Sequence, residues 1–530
     1  MRRMLKKTAI ATLLSLSIAP AVLAQEPDIS LVGAVDETAT TQDTFLETSK
    51  RLRWIKNDYE KRSNEYSLDN AIAFAISNNT TVKAAYKAVQ SKQWAAISDK
   101  RLWWPVASGA GPYGDINVVP TWPTIGQRFE SNYGKKYTQV TTREDGKPIL
   151  KREKSNSFTS IDQFVPAAHG RWTFFDMTRV PQINSSTEAA KAEELLFDMT
   201  VRDIVLNVQQ GYYRLYSEIQ YLESLESDYQ TNLQQLEQAQ LKYSNNPSLI
   251  NQNAVQQSKA TIYSQLEELI GQNVKLISAA ADMARQMGLR YGTLVKPSKD
   301  FKLRPVNEWK MGLMETIDHA IAHREEILAA KTIAKSQSYL ATSLRYSYLP
   351  KISLYGYVGY TNQSGPYGPT GATTTRHSDV SYRWGPQANI GVTFSWMFDG
   401  TVNAAKAKSL QYAAAQYVAK SEAAADMVES QTAVAYAEYS TSKMSLDTSA
   451  AALLNATRAR ETTRLLYLDN KVDSTAYTAS ALAVAQATKQ YSTAIFRYNN
   501  SVAKLYRYTS IWPTGVSRAL DEAVLVMKTK

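Results

Sequence analysis

The stretch Leu68–Pro105 reads LDNAIAFAISNNTTVKAAYKAVQSKQWAAISDKRLWWP, and the stretch Leu313–Pro350 reads LMETIDHAIAHREEILAAKTIAKSQSYLATSLRYSYLP. Aligned without a gap, they share identical residues at Leu68, Ile72, Ala75, Ile76, Ala84, Ala85, Ser91, Ala96 and Pro105 of the first copy. Both have the apolar spacing of a helix, and both end at a proline. A match of this length predicts the duplication of a whole structural unit.

The same series of elements follows each copy. A first strand is predicted after each proline, at about 106–122 and 349–361, and a second at about 164–176 and 385–398. Alternation is clearest where Ile390, Val392, Phe394 and Trp396 alternate with small or polar residues. Polar loops are expected between the paired strands, at 123–163 and 362–383, the first with a hairpin near Asp145-Gly146.

Very long helices complete each copy. They are predicted at 180–243 and 250–287 in the first and at 402–468 and 474–508 in the second. Apolar residues recur every seven positions at Leu215, Leu222, Tyr229, Leu236 and Tyr243, and again at Val484, Tyr491, Tyr498, Leu505 and Trp512. Sustained heptads indicate coiled-coil packing. We therefore predict two repeats, 68–290 and 313–510, joined by a linker at 291–312 and followed by a C-terminal tail at 511–530.

The N-terminus predicts export. Residues 1–24 have a basic start, an apolar centre and Val22-Leu23-Ala24 at the cleavage position, which is the pattern of a signal peptide. The apolar run is shorter than the ~20 residues of a spanning helix. Residues 25–67 form an N-terminal arm. The chain has no cysteine, which excludes disulfides and a lipid-modified cysteine.

These features together predict a mostly α protein with a membrane β part. No segment after residue 24 is long and apolar enough for a membrane helix, so only the strands could enter a bilayer. Four strands cannot close a barrel, and open edges in lipid leave unsatisfied backbone groups. Three copies would supply a twelve-stranded β-barrel, which an α-helical coiled-coil barrel would continue into the periplasm.

The chain resembles the TolC-like outer membrane efflux proteins over about residues 68–510. The resemblance is carried by the helix starts at Ala71-Ile72 and Ile317, by the junctions at Pro105 and Pro350, and by the strand ends at Asp176 and Asp399-Gly400. It implies a homotrimeric channel of the outer membrane that exports drugs, other small molecules or type I secreted proteins. The implied partners are outer membrane lipid, a periplasmic adaptor and an inner-membrane pump of the ABC, RND or MFS type.

The resemblance also places a periplasmic gate at the turn of the second long hairpin. Tyr467 matches the family pattern, but Asn470-Lys471-Val472 stands where the family often has Gly-Thr-Arg. The family's two inward aspartates align with Ala476 and Ala479, whereas Asp469 and Asp473 flank the turn here. The gate candidates are therefore Tyr467, Asp469, Asn470, Lys471 and Asp473, with Asn245 and Asn246 at the other turn.

Chemistry beyond transport has little support in the sequence. His319 and His323 have a spacing that can bind a metal, but a solvated helix face is the preferred interpretation. We find no phosphate-binding glycine loop, nucleophile elbow or nucleic-acid-binding cluster, and we predict no enzyme activity and no cofactor. We expect Tyr212, Tyr213 and Tyr216 to pack between helices rather than line a pore. A membrane-interface girdle is predicted from the tryptophans Trp103, Trp104, Trp172, Trp384 and Trp396.

One alternative function belongs to a different class. A periplasmic coiled-coil adaptor or scaffold would also contain long helices. Such a protein would be expected to carry a single helical hairpin and a small soluble β domain. The duplication and the alternating strands favour the channel.

Overall fold

The computed structural model describes residues 42–110, 127–131, 135–144, 147–164, 167–245, 252–298, 304–306, 308–364, 367–370, 383–469 and 471–513. The predicted signal peptide, residues 25–41 of the arm and most of the C-terminal tail lie outside these ranges. The chain divides into two compact units, with the boundary after Ser63.

The described part of the first unit is dominated by a single helix, α1 (Gln42–Arg62). Its side chains form ion pairs one turn apart, between Arg51 and Glu47 at 2.7 Å and between Arg62 and Asp58 at 3.0 Å. Exposed pairs of this kind contribute only a few tenths of a kcal/mol to helix stability.

The second unit contains all the other helices that the structure describes. They are α2 (Leu68–Asn78), α3 (Thr80–Arg101), α4 (Arg179–Asn245), α5 (Gln252–Met287), α6 (Leu313–His323), α7 (Glu325–Tyr346), α8 (Val402–Leu468) and α9 (Ser474–Tyr508). A small two-stranded sheet joins β1 (Ser63–Tyr66) to β7 (Leu294–Pro297), which lies within the predicted linker.

The duplicated helices are each interrupted at one position, which the sequence patterns did not predict. Asn79 separates α2 from α3 and Arg324 separates α6 from α7, and the two residues are aligned in the repeat. Their backbones are almost the same, with φ −60° and ψ 129° at Asn79 and φ −69° and ψ 130° at Arg324. Asn79 caps α3, since its side-chain oxygen accepts a hydrogen bond from the Thr81 N–H at 2.8 Å.

The long helices lie close to their predicted positions. Helices α4 and α8 have 67 residues each, which corresponds to about 100 Å at 1.5 Å per residue. The predicted heptad of α4 is buried at Leu215, Leu222 and Tyr229. Tyr212 and Tyr213 are buried between helices, and the Tyr212 hydroxyl donates to the Tyr66 carbonyl at 3.0 Å. The structure thus favours the packed interpretation for these two tyrosines.

Helix α8 buries a heptad stripe of mostly small side chains that the sequence analysis overlooked. Ser421, Val428, Ala435 and Ser442 are buried at intervals of seven residues. The Ser442 hydroxyl lies 3.0 Å from the hydroxyl of Ser501 on α9. Small side chains let neighbouring helices approach closely. The stripe packs against α9 at Ala435 and Ser442, whereas Val428 packs against Ala320 of α6 and Ile327 of α7.

The main sheet joins the two repeats. Its strands are β2 (Val106–Ala110), β3 (Gln127–Ser131), β4 (Lys135–Glu144), β5 (Lys147–Phe164), β6 (Ala167–Phe175), β8 (Lys351–Ser364), β9 (Tyr367–Thr370) and β10 (Arg383–Ser395). Next to the helices the order is β2-β6-β8-β10, and all three pairings are antiparallel. The β6–β8 pair crosses between repeats, and β2 and β10 are the outer strands of this four-stranded part.

The region predicted as a polar loop at 123–163 contains strands in the structure. Strands β4 and β5 form an antiparallel hairpin that ends where Glu144 pairs with Lys147, at the predicted turn. Strand β5 also pairs with β3, β8 and β9, so the second predicted loop is likewise partly strand. These strands are polar and lack clear alternation, so the sequence pattern did not reveal them.

Within the described ranges, no helix combines the length and the apolar character that crossing a bilayer requires.

Candidate functional site

The passage from helix to strand is built in the same way in both repeats. Pro105 follows α3 and Pro350 follows α7, and each proline precedes a strand by one residue. The Trp172 indole N–H donates to the carbonyl of Trp103 at 2.9 Å, and the Trp396 indole N–H donates to the carbonyl of Tyr348 at 2.8 Å. These bonds hold the ends of β6 and β10 against the chain that follows α3 and α7, respectively.

The two aspartates at the strand ends hold the entries to α4 and α8. Asp176 accepts hydrogen bonds from the Thr178 N–H at 3.0 Å and the Thr178 hydroxyl at 2.6 Å, and it lies 3.0 Å from the Lys351 ammonium. Asp399 accepts from the Tyr348 hydroxyl at 2.8 Å and from the Asn403 N–H at 2.9 Å. Asp176 therefore connects the end of β6 to the start of β8, and Asp399 connects the chain before β8 to the first turn of α8.

Gly400 lies between Asp399 and the start of α8. Its φ is +62°, in the left-handed region that glycine adopts without steric cost. Thr401 follows with φ 73°, which is uncommon for a residue with a side chain. The chain thus turns sharply between β10 and α8, and the predicted Asp399-Gly400 junction supplies the first of the two left-handed residues.

One face of the four-stranded sheet is apolar and exposed. On β10, Ile390, Val392 and Phe394 are 77%, 64% and 62% exposed. Val392 pairs with Leu354 on β8, which pairs with Trp172 on β6, so the apolar row continues across three strands. An exposed apolar surface that follows the strand period marks contact with a membrane or a partner rather than with water.

The opposite face of the same strands is polar. Thr393, Ser353 and Thr173 form one row, in which the hydroxyls of Thr173 and Ser353 lie 2.9 Å apart. In the next row the ring of Tyr355 covers Gly391, where an added Cβ would lie 2.6 Å from the ring. The four-stranded part of the sheet therefore has one apolar and one polar face.

Exposed aromatic side chains lie where the strands meet the helices. They are Trp103, Trp104, Trp172, Trp396 and Phe398, with Trp104 at 73% and Phe398 at 71% exposed. Trp384, the fifth predicted member of the girdle, lies in β10. Indole rings with a wet polar edge and an apolar body suit the boundary between lipid and water.

The α8–α9 turn holds most of the predicted gate residues. Tyr467 stacks on Tyr477 with ring centroids 5.5 Å apart. Lys471 forms an exposed ion pair with Asp469 at 3.4 Å. Asp473 is the N-cap of α9 and accepts from the Ala476 N–H at 3.0 Å. The Thr475 hydroxyl and this N–H lower the pKa of Asp473 below its usual value.

The remaining gate candidates are described only in part. Asn470 and Asn246 lie outside the described residues. Asn245 is the last residue of α4, and the chain resumes with α5 at Gln252. Of the candidates, the structure therefore places Tyr467, Asp469, Lys471 and Asp473 together at one turn.

A buried charge cluster joins three helices, and the sequence analysis missed it. Arg507 on α9 is 5% exposed and contacts Asp203 on α4 at 2.5 Å and Glu326 on α7 at 2.9 Å. Arg202 contacts Glu325 at 2.6 Å. Partners more than 100 residues apart leave no local signal in the sequence, so only the fold reveals this cluster.

The cluster is extended by aromatic and hydroxyl groups near the end of α9. The guanidinium of Arg202 lies 3.8 Å from the centroid of the Trp512 ring, and the Ser510 hydroxyl donates to Glu325 at 2.7 Å. Burial raises the pKa of the nearby Asp198 to about 6, and the negative charge of Glu325 acts in the same direction. The cluster therefore ties the chain after α9 to α4 and α7.

The histidine pair is engaged within the helices. The rings of His319 and His323 stack at 4.2 Å, and Nδ1 of His319 lies 3.0 Å from the carbonyl of Thr509. Among the residues that the structure describes, no three His, Cys, Asp or Glu side chains are grouped so as to hold a metal ion.

Solved structures share this fold, although no family model and no curated protein sequence matches the chain. The Campylobacter jejuni CmeC outer membrane channel matches with a TM-score of 0.62 and 14% identity, covering 86% of this chain and 89% of that chain. The outer membrane protein VceC of Vibrio cholerae matches at 0.57 and 14%, covering 83% and 95%. The open state of the Neisseria gonorrhoeae MtrE outer membrane channel matches at 0.55 and 13%, covering 84% and 89%. The chain therefore has the fold of the TolC-like outer membrane channels, as its resemblance to them predicted.

Proposed function

We propose that this protein is a channel of the outer membrane that exports solutes through a continuous passage from the periplasm. The observation that carries the proposal is the two-faced sheet. Its apolar face is exposed in the protomer at Ile390, Val392 and Phe394, and its other face is polar. Water would penalise so large an apolar surface, whereas lipid would stabilise it.

The strand order β2-β6-β8-β10 supports closure of the barrel by several copies of the chain. The outer strands β2 and β10 run in opposite directions, because each of the three pairings is antiparallel. Strand β10 of one copy can therefore pair with β2 of the next in the same antiparallel manner. Three copies give a closed barrel of twelve strands, which removes the open edges that lipid does not tolerate.

The long helices extend the passage on the periplasmic side. Helices α4, α5, α8 and α9 of three copies would form the wall of a helical barrel below the β-barrel. The α8–α9 turn would then be the closed tip, with Tyr467, Asp469, Lys471 and Asp473 as gate residues. A periplasmic adaptor would join this tip to an inner-membrane pump of the ABC, RND or MFS type.

The cargo class follows from that assembly. The pump would select drugs, other small molecules or type I secreted proteins, and the channel would supply the route. Two pairs of long antiparallel helices disfavour the adaptor or scaffold alternative, for which a single helical hairpin was expected.

Extraction and conductance together test the proposal. The protein should sediment with outer membranes, dissolve only in detergent and have the mass of a trimer by light scattering after detergent is subtracted. It should also give single-channel currents in planar bilayers. A monodisperse monomer, or release by salt without detergent, would contradict the proposal.

A further inference from the structure

A cavity of about 720 Å³ lies where the strands meet the helices. Strand residues that line it, such as Thr173, Ser353 and Ser395, belong to the polar face of the sheet. The apolar-face residues Leu354 and Val392 do not line it. In the proposed barrel, this cavity therefore opens to the lumen.

Basic side chains dominate the ionisable groups of the cavity. Its lining includes Arg101, Arg171, Arg179 and Lys351, but only two carboxylates, Asp176 and Asp399, which leaves a net formal charge of +2. The imbalance would be repeated three times around the axis of a trimer.

Both carboxylates of the cavity are already engaged. Asp176 is shared by Lys351 at 3.0 Å and Arg179 at 3.9 Å, so one negative charge faces two positive ones. Asp399 is engaged by the Tyr348 hydroxyl and the Asn403 N–H instead of by a cation. Within the described ranges, Arg101 forms no salt bridge with a carboxylate.

The strands themselves have the same bias. The four segments Val106–Ala110, Ala167–Phe175, Lys351–Ser364 and Arg383–Ser395 contain basic residues at Arg171, Lys351 and Arg383 and no Asp or Glu. A lumen with low-dielectric walls and charge of one sign concentrates mobile ions of the opposite sign. Arg171 and Lys351, which line the cavity, therefore offer cationic groups to a passing solute.

We propose that this junction makes the barrel end of the passage favour anionic solutes over cationic ones. The inference rests on the proposed channel function and specifies its substrate class. At the other end, Asp469 and Asp473 outnumber Lys471 by one charge, so the tip has the opposite bias. The contribution of the cavity is therefore measured as the change in ion selectivity between variants, and not as the total ion selectivity of the channel.

The test compares the parent with the double variant Arg101→Gln, Arg171→Gln in planar bilayers under a tenfold KCl gradient at low ionic strength. We expect the chloride-to-potassium permeability ratio to fall by about twofold or more in the double variant, because screening is weak at low salt. Citrate added on the barrel side should also block the parent more strongly than the variant. Arg290→Gln, an exposed arginine after α5 that does not line the cavity, is the matched control and should behave like the parent.

The outcomes separate the two proposals. An unchanged permeability ratio and unchanged citrate block, in a variant that is still a conducting trimer, would overturn the anion preference and leave the channel function intact. A parent protein without conductance would overturn the channel function, and the anion preference with it. A variant that is no longer trimeric is replaced by the single substitution Arg101→Gln, to which the same two outcomes apply.

Discussion

Trp172 and Trp103 are joined by a hydrogen bond of 2.9 Å from the indole N–H to the carbonyl, and the second repeat makes the same bond between Trp396 and Tyr348 at 2.8 Å. Trp103 and Tyr348 are aligned positions of the duplicated sequence. The two halves therefore share this hydrogen bond as well as the order of their helices and strands. The same substitution in each half should change the stability of the protein by the same amount.

Trp172→Phe and Trp396→Phe test this equivalence. Each removes the indole donor and keeps an aromatic ring, so each should cost about 1 kcal/mol of stability. Because the two bonds share no residue, the double variant should lose the sum of the single losses. Thermal melting of the detergent-solubilised protein measures the effect. Unequal losses at the two sites would show that one junction depends on other contacts.

Adjacent residues of β10 test the membrane-facing side of the sheet. Ile390→Lys places a charge on the apolar face and should cost about 2–4 kcal/mol if that residue lies near the bilayer midplane. Asn389→Lys, one residue earlier, places the same charge on the polar face and should be tolerated. The amount of trimer in outer membranes is the measurement. Equal yields for both variants would argue against lipid on the apolar face.

Removing Arg507 should destabilise the helical part by more than the loss of an exposed ion pair does. Its loss removes the cation that Asp203, Glu325 and Glu326 share. Glu325 and Glu326 keep Arg202 and Arg324, and the Asp203 side chain is 47% exposed, so the cost should lie below the about 3–5 kcal/mol of a fully buried broken pair. We expect Arg507→Ala to melt well below the parent in thermal circular dichroism. The control Arg464→Ala breaks an exposed pair with Glu461 and should cost at most about 1 kcal/mol. If Arg507→Ala does not accumulate, Arg507→Lys should show a smaller loss of the same sign.

Asp198 should make stability depend on pH. Burial, aided by Glu325, raises its pKa from 3.8 to about 6. The folded protein thus binds this proton more tightly than the unfolded chain, so the contribution to stability is complete below about pH 4 and is lost as the pH rises through about 6.

Asp198→Asn is neutral at every pH and removes this dependence. It should therefore have a higher melting temperature than the parent at pH 8. Its free energy of unfolding should be higher by about 1 kcal/mol, once the partial exposure of the Asp198 carboxyl is allowed for. The advantage should shrink toward pH 4. A difference that is the same at pH 4 and pH 8 would show that the Asp198 carboxyl does not titrate in this range.

The gate hypothesis can be tested without disturbing the helix cap. Asp473 caps α9 within its own protomer, and serine is an equally good cap, so Asp473→Ser removes the charge and keeps the cap. Combined with Asp469→Asn and Lys471→Gln, it should raise single-channel conductance if charge interactions between protomers hold the tip closed. Asp473→Ala is the control for the loss of the cap. Conductance equal to that of the parent would place the constriction elsewhere, for example at the Asn245-Asn246 turn.

The sequence predicts most of the fold because the relevant signals are local and repeated. The heptads, the prolines and the alternation of β10 each specify an element, and the helices Val402–Leu468 and Ser474–Tyr508 have the predicted bounds. The break at Arg324 has no such signal, because arginine is not a capping residue. The charge cluster around Arg507 depends on partners distant in sequence. The turn of the β4–β5 hairpin is predicted near Asp145-Gly146, but the polar residues on either side do not reveal its strands. The gate residues stay predictions.

The breaks at Asn79 and Arg324 have almost the same backbone angles, although different chemistry supports them. Asn79 caps the following helix with its own side chain, whereas Arg324 has no such bond and its guanidinium contacts Glu326 at 3.1 and 3.2 Å. If both halves descend from one ancestral gene segment, the path of the main chain has been inherited while the residue that maintains it has been exchanged. Selection at this position has then acted on shape, and an ancestral asparagine at 324 would be compatible with the present conformation.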